Sequence, residues 1–456
     1  MPRVCVLGAG PAGCLIAYRL ATLGHEVVLI ARRRRRRHPM GETAPGSVAQ
    51  LLEGVGLGDI MTMAAYGVAT EGLALWESEE AVVHPSPGLL LRRDRFDSLL
   101  RMAAEQAGAR VIEIAGGVTL ERKVRGGWRV SLITSAGANE IDAAFLVDAR
   151  GRSAGRRRLG ASTIALCARW RDSGPLPATT CLEAASDAWT WGGVAPDRRQ
   201  AAACFVDPQR LAGLDAAGRT ALYVKLLGRT RLLRPLLTGV LCETPVVLDA
   251  TARLGLRIAE PGLIALGDAA MATEPLSSQG VQNAIVSALQ GAAVVHTALS
   301  QPEDALLALN FHRASREAAA HSAMRHTASF HAAVLARFDT PFWRRRAAAG
   351  ERAPRLTPAE AAAGPDAPLR LSPSARIKDG PVLDGVLIRR QRVLEDPWLH
   401  GPVAYLGAVK VAPLLEATRF PMVRNELFRA WSEMIGPKDA NAAIAWLCSR
   451  RLLVAA

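Results

Sequence analysis

The amino-acid sequence predicts an α/β fold with an inserted mixed β-sheet and an α-rich C-terminal module. Three observations lead to this prediction. The chain opens on an apolar strand that runs into a glycine-rich turn and a helix, the strand-then-glycine pattern returns twice, and strand-like segments fill the intervals between these repeats. With 456 residues, the chain is long enough for two or three domains.

The first element is a compact βαβ unit. Arg3–Leu7 predicts a buried strand, Gly8–Gly13 a tight turn, residues 12–23 a helix that Gly24 ends, and Glu26–Ile30 a second strand. Glycines in such a turn let the backbone approach the pyrophosphate of a dinucleotide, which the N–H groups of the helix N-terminus then bind. The unit therefore predicts a Rossmann-like nucleotide-binding domain.

Two later segments repeat the pattern of a strand followed by glycine. Residues 144–147 lead into Asp148-Ala-Arg-Gly151, and residues 263–266 lead into Gly267-Asp268. A carboxylate at such a turn can bond a sugar-alcohol hydroxyl. The segment Pro275-Leu-Ser-Ser-Gln-Gly280 then opens a long helix, whose N-terminus favours a ligand that carries negative charge.

The parts of the chain are predicted from these repeats and from shifts in composition. The predicted ranges are 1–65, 92–162 and 251–338 for the nucleotide-binding domain, 66–91 and 163–250 for a substrate-binding sheet, 339–375 for a linker, and 376–456 for the C-terminal module. The linker is rich in Pro, Ala and Arg and has little apolar periodicity. Two short strands followed by three helical runs give the C-terminal module a winged-helix-like order.

Composition argues against several classes of protein. The net charge of +14 comes mostly from dispersed arginines, which indicates a GC-rich source. A basic stripe with interleaved aromatics is missing from the sequence, so no nucleic-acid partner is expected. The sequence has no run of about 20 uncharged apolar residues, so no membrane span is predicted. The seven cysteines are scattered without metal-ligand spacing, which predicts no metal and a cytoplasmic location.

One feature usual for dinucleotide-binding domains is missing at the end of the second strand. An acidic residue usually binds the adenosine ribose there, but the sequence has Ala31 and Arg32. Either Arg32 faces adenine or phosphate, or the ribose contact is lost. The run Arg32–Arg37 is then either a contact to an anionic ligand or a solvated basic loop.

The linked motifs resemble those of FAD-dependent aromatic hydroxylases and their tryptophan-halogenase relatives. The shared motifs, in order over residues 1–335, are Gly8–Gly13, Gly41-Glu42, Arg93, Asp148–Gly151 and Gly267–Gly280. The element Gly41-Glu42-Thr-Ala-Pro45 is similar to the corresponding element of the halogenase-like branch of this family. Within that branch the chain most resembles flavoproteins that modify other proteins, such as the maturation monooxygenase of quinohaemoprotein amine dehydrogenase.

This resemblance implies that the chain binds FAD. The glycines would hold the pyrophosphate, Arg93 a phosphate and Asp268 the ribityl chain, while Pro275–Gly280 would face the isoalloxazine ring. The full set of predicted FAD-binding residues is Gly8, Gly10, Ala12, Gly13, Arg32, Glu42, Arg93, Asp268, Pro275, Gln279 and Gly280.

The activity implied by the resemblance is hydroxylation of an aromatic group through a C4a-hydroperoxyflavin. It would use O2 and an electron donor, either NAD(P)H or a flavin reductase. The substrate would be a small aromatic molecule or a Trp or Tyr side chain of a peptide or protein. Trp189 and Trp191 either wall the substrate pocket or are ordinary sheet aromatics. The sequence does not single out a catalytic residue. The spacing of His312, His321, His326 and His331 does not place them on one helix face as metal ligands, so they are predicted to be surface or core histidines.

Three other functions are open at this level. A flavin-dependent halogenase needs a lysine near the Gly41-Glu42 element, and no lysine precedes Lys123. A flavin reductase of a carbon–carbon double bond has similar motifs and would proceed without oxygen. A non-enzymatic binding module derived from a flavoprotein would be colourless when purified. The C-terminal module either docks a polypeptide substrate or covers the catalytic domain as a lid.

Overall fold

The computed structural model describes residues 2–32, 40–124, 126–350, 367–397, 399 and 401–456. The chain forms two compact units, one of Met1–Val295 with Ala320–Ala353 and the other of His296–Ala319 with Pro354–Ala456. Residues 296–319 thus group with the C-terminal part, whereas the predicted boundaries placed them in the nucleotide-binding domain. Among the described residues, no helix has the length and apolar character required to cross a membrane.

The helices and strands are numbered along the described chain. The α-helices are α1 (Pro11–Thr22), α2 (Gly46–Glu53), α3 (Asp59–Ala64), α4 (Arg93–Gln106), α5 (Ala216–Gly228), α6 (Gly280–Ser300), α7 (Ala305–Ala333), α8 (Pro341–Ala347), α9 (Val411–Glu416), α10 (Arg424–Ile435) and α11 (Pro437–Ser449). The strands up to residue 206 are β1 (Arg3–Leu7), β2 (Glu26–Arg32), β3 (Glu42–Pro45), β4 (Ala65–Leu75), β5 (Val82–Leu91), β6 (Arg110–Ile114), β7 (Val118–Arg122), β8 (Trp128–Thr134), β9 (Gly137–Ala143), β10 (Phe145–Asp148), β11 (Arg156–Arg158), β12 (Ile164–Arg171), β13 (Thr180–Ala185), β14 (Ala188–Val194) and β15 (Gln200–Val206). The later strands are β16 (Val240–Leu241), β17 (Val246–Asp249), β18 (Arg253–Gly255), β19 (Ala259–Glu260), β20 (Leu263–Ala265), β21 (Met271–Ala272), β22 (Pro368–Leu371), β23 (Arg376–Asp384), β24 (Leu387–Glu395), β25 (Tyr405–Leu406), β26 (Val409–Lys410), β27 (Met422–Val423) and β28 (Leu453–Ala455).

A six-stranded sheet in the order β19-β20-β10-β1-β2-β6 forms the centre of the first unit. Its strands run parallel except for β19, which pairs antiparallel with β20. The central strand β1 is apolar and buried from Val4 to Leu7, as expected for a parallel strand that is covered on both faces. Together with the α-helices around it, this sheet confirms the predicted α/β fold.

A nine-stranded mixed sheet is built from β3, β4, β5 and β12–β17. One face packs on α5, where the buried Tyr223 hydroxyl donates to the Ala202 carbonyl at 3.0 Å. The other face carries an aromatic layer, which we define as Trp76, Trp189, Phe205, Phe342 and Trp343. Because side chains alternate along a strand, neighbouring residues of β15 contribute to opposite faces.

The second unit has its own core around Trp431 of α10. The Trp431 indole N–H donates to the Thr418 hydroxyl at 2.7 Å, and α9 and α11 contribute further buried residues to this core. The hairpin β23–β24 turns at Gly385, which has a φ of +61° that favours glycine. The α-rich character predicted for the C-terminal part is confirmed, and its winged-helix-like order stays a prediction.

The first residues of the predicted linker, 339–350, are structured. Helix α8 buries Trp343, and the buried Arg346 guanidinium donates to Asp207 Oδ1 at 3.0 Å. The linker prediction fails here because α8 is held by contacts with residues more than 130 positions away, such as Asp207. Local composition does not indicate such contacts. Residues 351–366 lie outside the described residues, and Pro368–Leu371 forms β22.

Burial makes most of the cysteines unreactive, which leads to a first prediction. It raises the pKa of the Cys5 and Cys167 thiols to about 12 and that of Cys181 to about 11. Since the thiolate is the reactive form, we expect iodoacetamide at about pH 8 to modify the half-buried Cys242 first and the half-buried Cys448 more slowly, because burial also raises the pKa of the Cys448 thiol. Peptide mass spectrometry after a short exposure measures this. Rapid modification of Cys5 would contradict the buried packing of β1.

Candidate functional site

Three segments of the chain meet where the central parallel strands end. The register pairs Leu7 of β1 with Asp148 of β10, and Asp148 with Ala265 of β20. Backbone hydrogen bonds continue the pairing past the strands, since Ala149 N donates to Leu7 O at 2.8 Å and Leu266 N to Asp148 O at 2.9 Å. The turn at Gly8–Gly13, the Asp148 turn and the Asp268 turn are therefore brought to one edge of the sheet, where ligands of open α/β sheets bind.

The glycine-rich turn forms a close-fitting backbone cradle. A Cβ on Gly8 would lie 2.4 Å from the Ala149 carbonyl oxygen, and one on Gly13 would lie 1.8 Å from the Gly8 carbonyl oxygen. Gly8 also has a φ of +106°. Gly10 caps α1 without a side-chain hydrogen bond, and the buried Ala12 follows in the first turn. The open N-terminus of α1 in a cradle without side chains suits a dinucleotide pyrophosphate.

Arg152 holds the Asp268 turn in place. Its Nε donates to Asp268 Oδ2 at 3.1 Å, its Nη1 to the Asp249 carbonyl at 2.8 Å and its Nη2 to the Thr273 carbonyl at 2.9 Å. About a third of the Asp268 side chain stays exposed, so it remains accessible to a ligand. Sequence reasoning missed Arg152, although it directly follows the Asp148–Gly151 motif.

Replacing Arg152 by lysine should weaken FAD binding about tenfold, because a lysine cannot reproduce the planar set of donors that joins three chain segments. Fluorescence titration of the FAD-free protein with FAD measures the dissociation constant. Arg158→Lys is the matched control, since Arg158 is exposed on β11 and donates only to Ser162 among the described residues. If the Arg152→Lys protein bound FAD with the wild-type dissociation constant, Arg152 would have no role in FAD binding.

Glu42 and Arg93 form one ion-pair cluster with Asp97. Arg93 donates to Glu42 Oε2 at 2.5 Å and to Asp97 Oδ1 at 3.3 Å. Burial acts to lower the pKa of Arg93, but the two carboxylates outweigh it and raise this pKa above its ordinary value. The guanidinium therefore stays charged and ties the Gly41-Glu42 element to the first turn of α4. Phosphate binding by Arg93 stays a prediction.

Tyr66 connects the Gly41-Glu42 element with the strand that carries Trp191. Its hydroxyl donates to the Val194 carbonyl at 2.6 Å, and a Cβ on Gly41 would lie 2.8 Å from that hydroxyl. Burial, with Asp197 and Glu42 nearby, raises the pKa of Tyr66 to about 12. The phenol thus remains a hydrogen-bond donor at neutral pH, and the sequence had given no indication of this contact.

The segment from Pro275 to Gly280, called the flavin loop below, leads into α6. A short 3-10 turn spans Pro275–Ser277, and Ser278 takes a left-handed conformation with a φ of +51°. The Gln279 carbonyl accepts a hydrogen bond from Asn283 N at 2.8 Å, and Gly280 is the first residue of α6. Leu276 packs against the aromatic layer, so the loop lies beside the face of the mixed sheet that carries Trp189.

The two tryptophans of β14 occupy different environments. Trp189 is 1% exposed and stacks on Phe205 with ring centroids 3.5 Å apart, so it belongs to the core. Its indole nitrogen has no hydrogen-bond partner among the described residues. Trp191 is half-buried at the margin of the same layer. Of the two, only Trp191 has the partial exposure expected of a pocket wall.

The remaining predicted residues lie outside these contacts. Arg32 is exposed and donates to the Gly116 carbonyl at 3.3 Å, while the rest of the run to Arg37 lies outside the described residues. His312 and His331 are buried and His321 and His326 are exposed on α7. In the described ranges, no group of three His, Cys, Asp or Glu side chains is placed to hold a metal ion.

Comparison with known proteins identifies the nucleotide-binding part. Residues 1–171 match the family model of the FAD-binding domain. A tryptophan 2-halogenase of Chondromyces crocatus is 25% identical over 374 residues, which cover 75% of this chain and 70% of that protein.

Two solved structures extend the likeness to almost the whole chain. The peptidyl tryptophan dihydroxylase QhpG, described as essential for tryptophylquinone cofactor biogenesis, aligns with a TM-score of 0.74 at 29% identity and covers 98% of this chain and 99% of its own. The flavin-dependent halogenase CmlS aligns with a TM-score of 0.82 at 16% identity, over 100% of this chain and 96% of its own, which shows a shared fold. The chain is thus an FAD-dependent oxidoreductase related to flavin-dependent hydroxylases and halogenases.

Proposed function

We propose that this FAD-dependent oxidoreductase is a monooxygenase that hydroxylates an aromatic ring, namely a tryptophan side chain of a polypeptide. The observation that carries the proposal is the likeness to the peptidyl tryptophan dihydroxylase, which spans nearly the full length of both chains and includes the C-terminal unit. The C-terminal unit is then the part of the chain proposed to dock the polypeptide.

FAD fits the residues at the sheet edge. The cradle of Gly8, Gly10 and Gly13 would hold the pyrophosphate at the N-terminus of α1, and Asp268, oriented by Arg152, would bond the ribityl hydroxyls. The flavin loop and the N-terminus of α6 would contact the ring system. When bound, FAD supplies the two-electron chemistry that activates O2.

The reaction balances with one electron donor. One atom of O2 enters a ring C–H bond to give C–OH, and the other leaves as water with two electrons and two protons. We propose NAD(P)H or a flavin reductase as the source of the electrons. Around the site, the aromatic layer and Leu276 exclude water from the face of the mixed sheet, and the half-buried Trp191 orients the substrate ring.

The placement of the lysines supports hydroxylation over halogenation. Lys123 pairs with Asp142 on the small sheet β7-β8-β9, and Lys225 lies on α5, which covers the sheet face opposite Trp189. The other lysines, Lys378, Lys410 and Lys438, follow in the C-terminal part. Among the described residues, none of the elements that form the candidate site carries a lysine amine for an oxidised halogen.

The cytoplasmic location predicted from the cysteines also remains part of the proposal.

A product assay tests the function. The FAD-loaded protein is mixed with NADH, a flavin reductase, isotopically labelled O2 and bromide, and is offered free tryptophan, tryptophan-containing peptides and an unfolded tryptophan-rich protein. Mass gain by labelled oxygen on a tryptophan of a peptide or protein supports the proposal. Brominated tryptophan would establish the halogenase instead. Oxygen transfer to free tryptophan alone would remove the polypeptide from the proposal, and absence of any product would reject it.

A further inference from the structure

A small, partly enclosed cavity lies against the residues that precede the flavin loop. Its walls come from Met271–Glu274, from one face of α7 between Ala320 and His331, and from Arg346. It offers about 30 Å³ for water, and a single buried water needs roughly 10–15 Å³ by this measure. Most of the lining is apolar, so the titratable side chains that reach it require an explanation.

Glu274 and His331 meet at this cavity. His331 Nε2 lies 3.5 Å from Glu274 Oε1, and the two side chains are 2% and 11% exposed, respectively. Neither imidazole nitrogen, nor this carboxylate oxygen, has a hydrogen bond among the described residues. Buried polar groups in folded proteins are generally satisfied by protein or by ordered water. The cavity has room for the water that would bridge them.

Other groups fix the electrostatics around this pair. Arg346 lines the same cavity, but its Nη2 donates to Thr163 Oγ1 and to Asp207 Oδ1, each at 3.0 Å. The uncharged Trp343 ring lies 5.6 Å from the imidazole. Among the described residues that line the cavity, Glu274 is the one carboxylate that faces both His331 and Arg346. Removing His331 thus takes away one of the two groups in this lining that the Glu274 carboxylate faces, and Arg346 is left as the other.

The main chain of Glu274 shapes the flavin loop. Its carbonyl accepts hydrogen bonds from Ser277 N at 3.3 Å and from Ser277 Oγ at 3.1 Å, which closes the turn after Pro275. The Glu274 side chain meets α7 while its backbone begins the loop. The position of the loop is therefore coupled to the contact between Glu274 and His331.

We propose that Glu274 and His331, bridged by one water in the cavity, are positioning residues that hold the flavin loop in the conformation that receives the isoalloxazine ring. The proposal rests on the placement of that ring beside the loop. It does not depend on the substrate, so its test measures FAD binding and is separate from the hydroxylation assay.

The test compares three single variants of the full-length protein. His331→Leu removes the hydrogen-bonding groups, His331→Gln keeps a donor and an acceptor of similar reach, and His326→Leu changes an exposed histidine of the same helix. FAD titration gives the dissociation constant, and the visible absorption bands of bound FAD report the surroundings of the ring.

We expect His331→Leu to weaken FAD binding about tenfold and to shift the visible bands, because the Glu274 carboxylate loses its polar contact with α7 and no longer holds the flavin loop in place. His331→Gln should stay within about twofold of wild type, and His326→Leu should not differ from it. Wild-type affinity and bands in His331→Leu would overturn the proposal, as would equal losses in the Leu and Gln variants. If His331→Leu does not fold, Glu274→Leu and Glu274→Gln make the same comparison from the other partner.

Discussion

A Gly13→Ala protein should fold and purify without FAD. The added Cβ would lie 1.8 Å from the Gly8 carbonyl oxygen, a distance at which the turn has to open. Because Gly8 itself has a φ of +106° and lies against Ala149, the turn cannot shift without leaving the end of β10. Displaced N–H groups at the start of α1 then lose the pyrophosphate, and we expect FAD affinity to fall by about a hundredfold or more.

Gly46→Ala provides the matched control for this substitution. Gly46 begins α2, and a Cβ placed on it meets no atom within 4 Å. Its alanine variant should bind FAD as tightly as wild type. FAD titration and circular dichroism of both variants separate a lost cofactor site from a lost fold. If Gly13→Ala retained FAD at wild-type affinity, the pyrophosphate would have to bind elsewhere.

A Trp189→Ala substitution should lower the free energy of unfolding by about 3–5 kcal/mol, the usual cost of removing a large aromatic side chain from a core. Trp189 is 1% exposed, stacks on Phe205 and meets Trp76 edge to face at 6.4 Å between ring centroids. Trp189→Phe keeps one ring of the stack and should cost less. Urea unfolding followed by circular dichroism measures both values.

Trp191→Ala is the informative counterpart, because Trp191 lies two residues along the same strand and is half-buried. We expect the free energy of unfolding of the Trp191→Ala protein to be only about 1 kcal/mol or less below that of wild type. We expect turnover of tryptophan peptides to drop more than tenfold through loss of substrate orientation. Equal destabilisation by both substitutions would place Trp191 in the core and remove it from the proposed pocket.

The sequence predicted those parts of the fold that depend on neighbours along the chain. Strand β1 was predicted with its observed bounds, because a buried parallel strand is a continuous apolar run and Gly8 ends it. The start of α6 was likewise predicted from the Pro-to-Gly segment before it, and the helix begins at Gly280, the last residue of that segment. Local composition carried this information in both cases.

Contacts between distant segments escaped the sequence analysis. Arg152 and Asp268 are 116 residues apart, and nothing near either residue indicates the pairing. His331 was predicted as a core or surface histidine from its spacing along α7, whereas its contact with Glu274 depends on how the helix packs on the segment before Pro275. The predicted linker failed for the same reason, since Arg346 finds its partner at Asp207.

The register that brings Leu7, Asp148 and Ala265 together also sets the order of events during protein synthesis. Parallel pairing between such distant strands is a non-local contact and forms slowly. A nascent chain that has passed residue 171 contains the whole segment matched by the FAD-binding family model, yet it lacks Asp268 and the flavin loop. If Asp268 and the flavin loop bind FAD as proposed, we expect cofactor capture to follow the emergence of Gly280 from the ribosome and the pairing of β20 with the sheet. Quenching of FAD fluorescence would mark that moment in a translating chain.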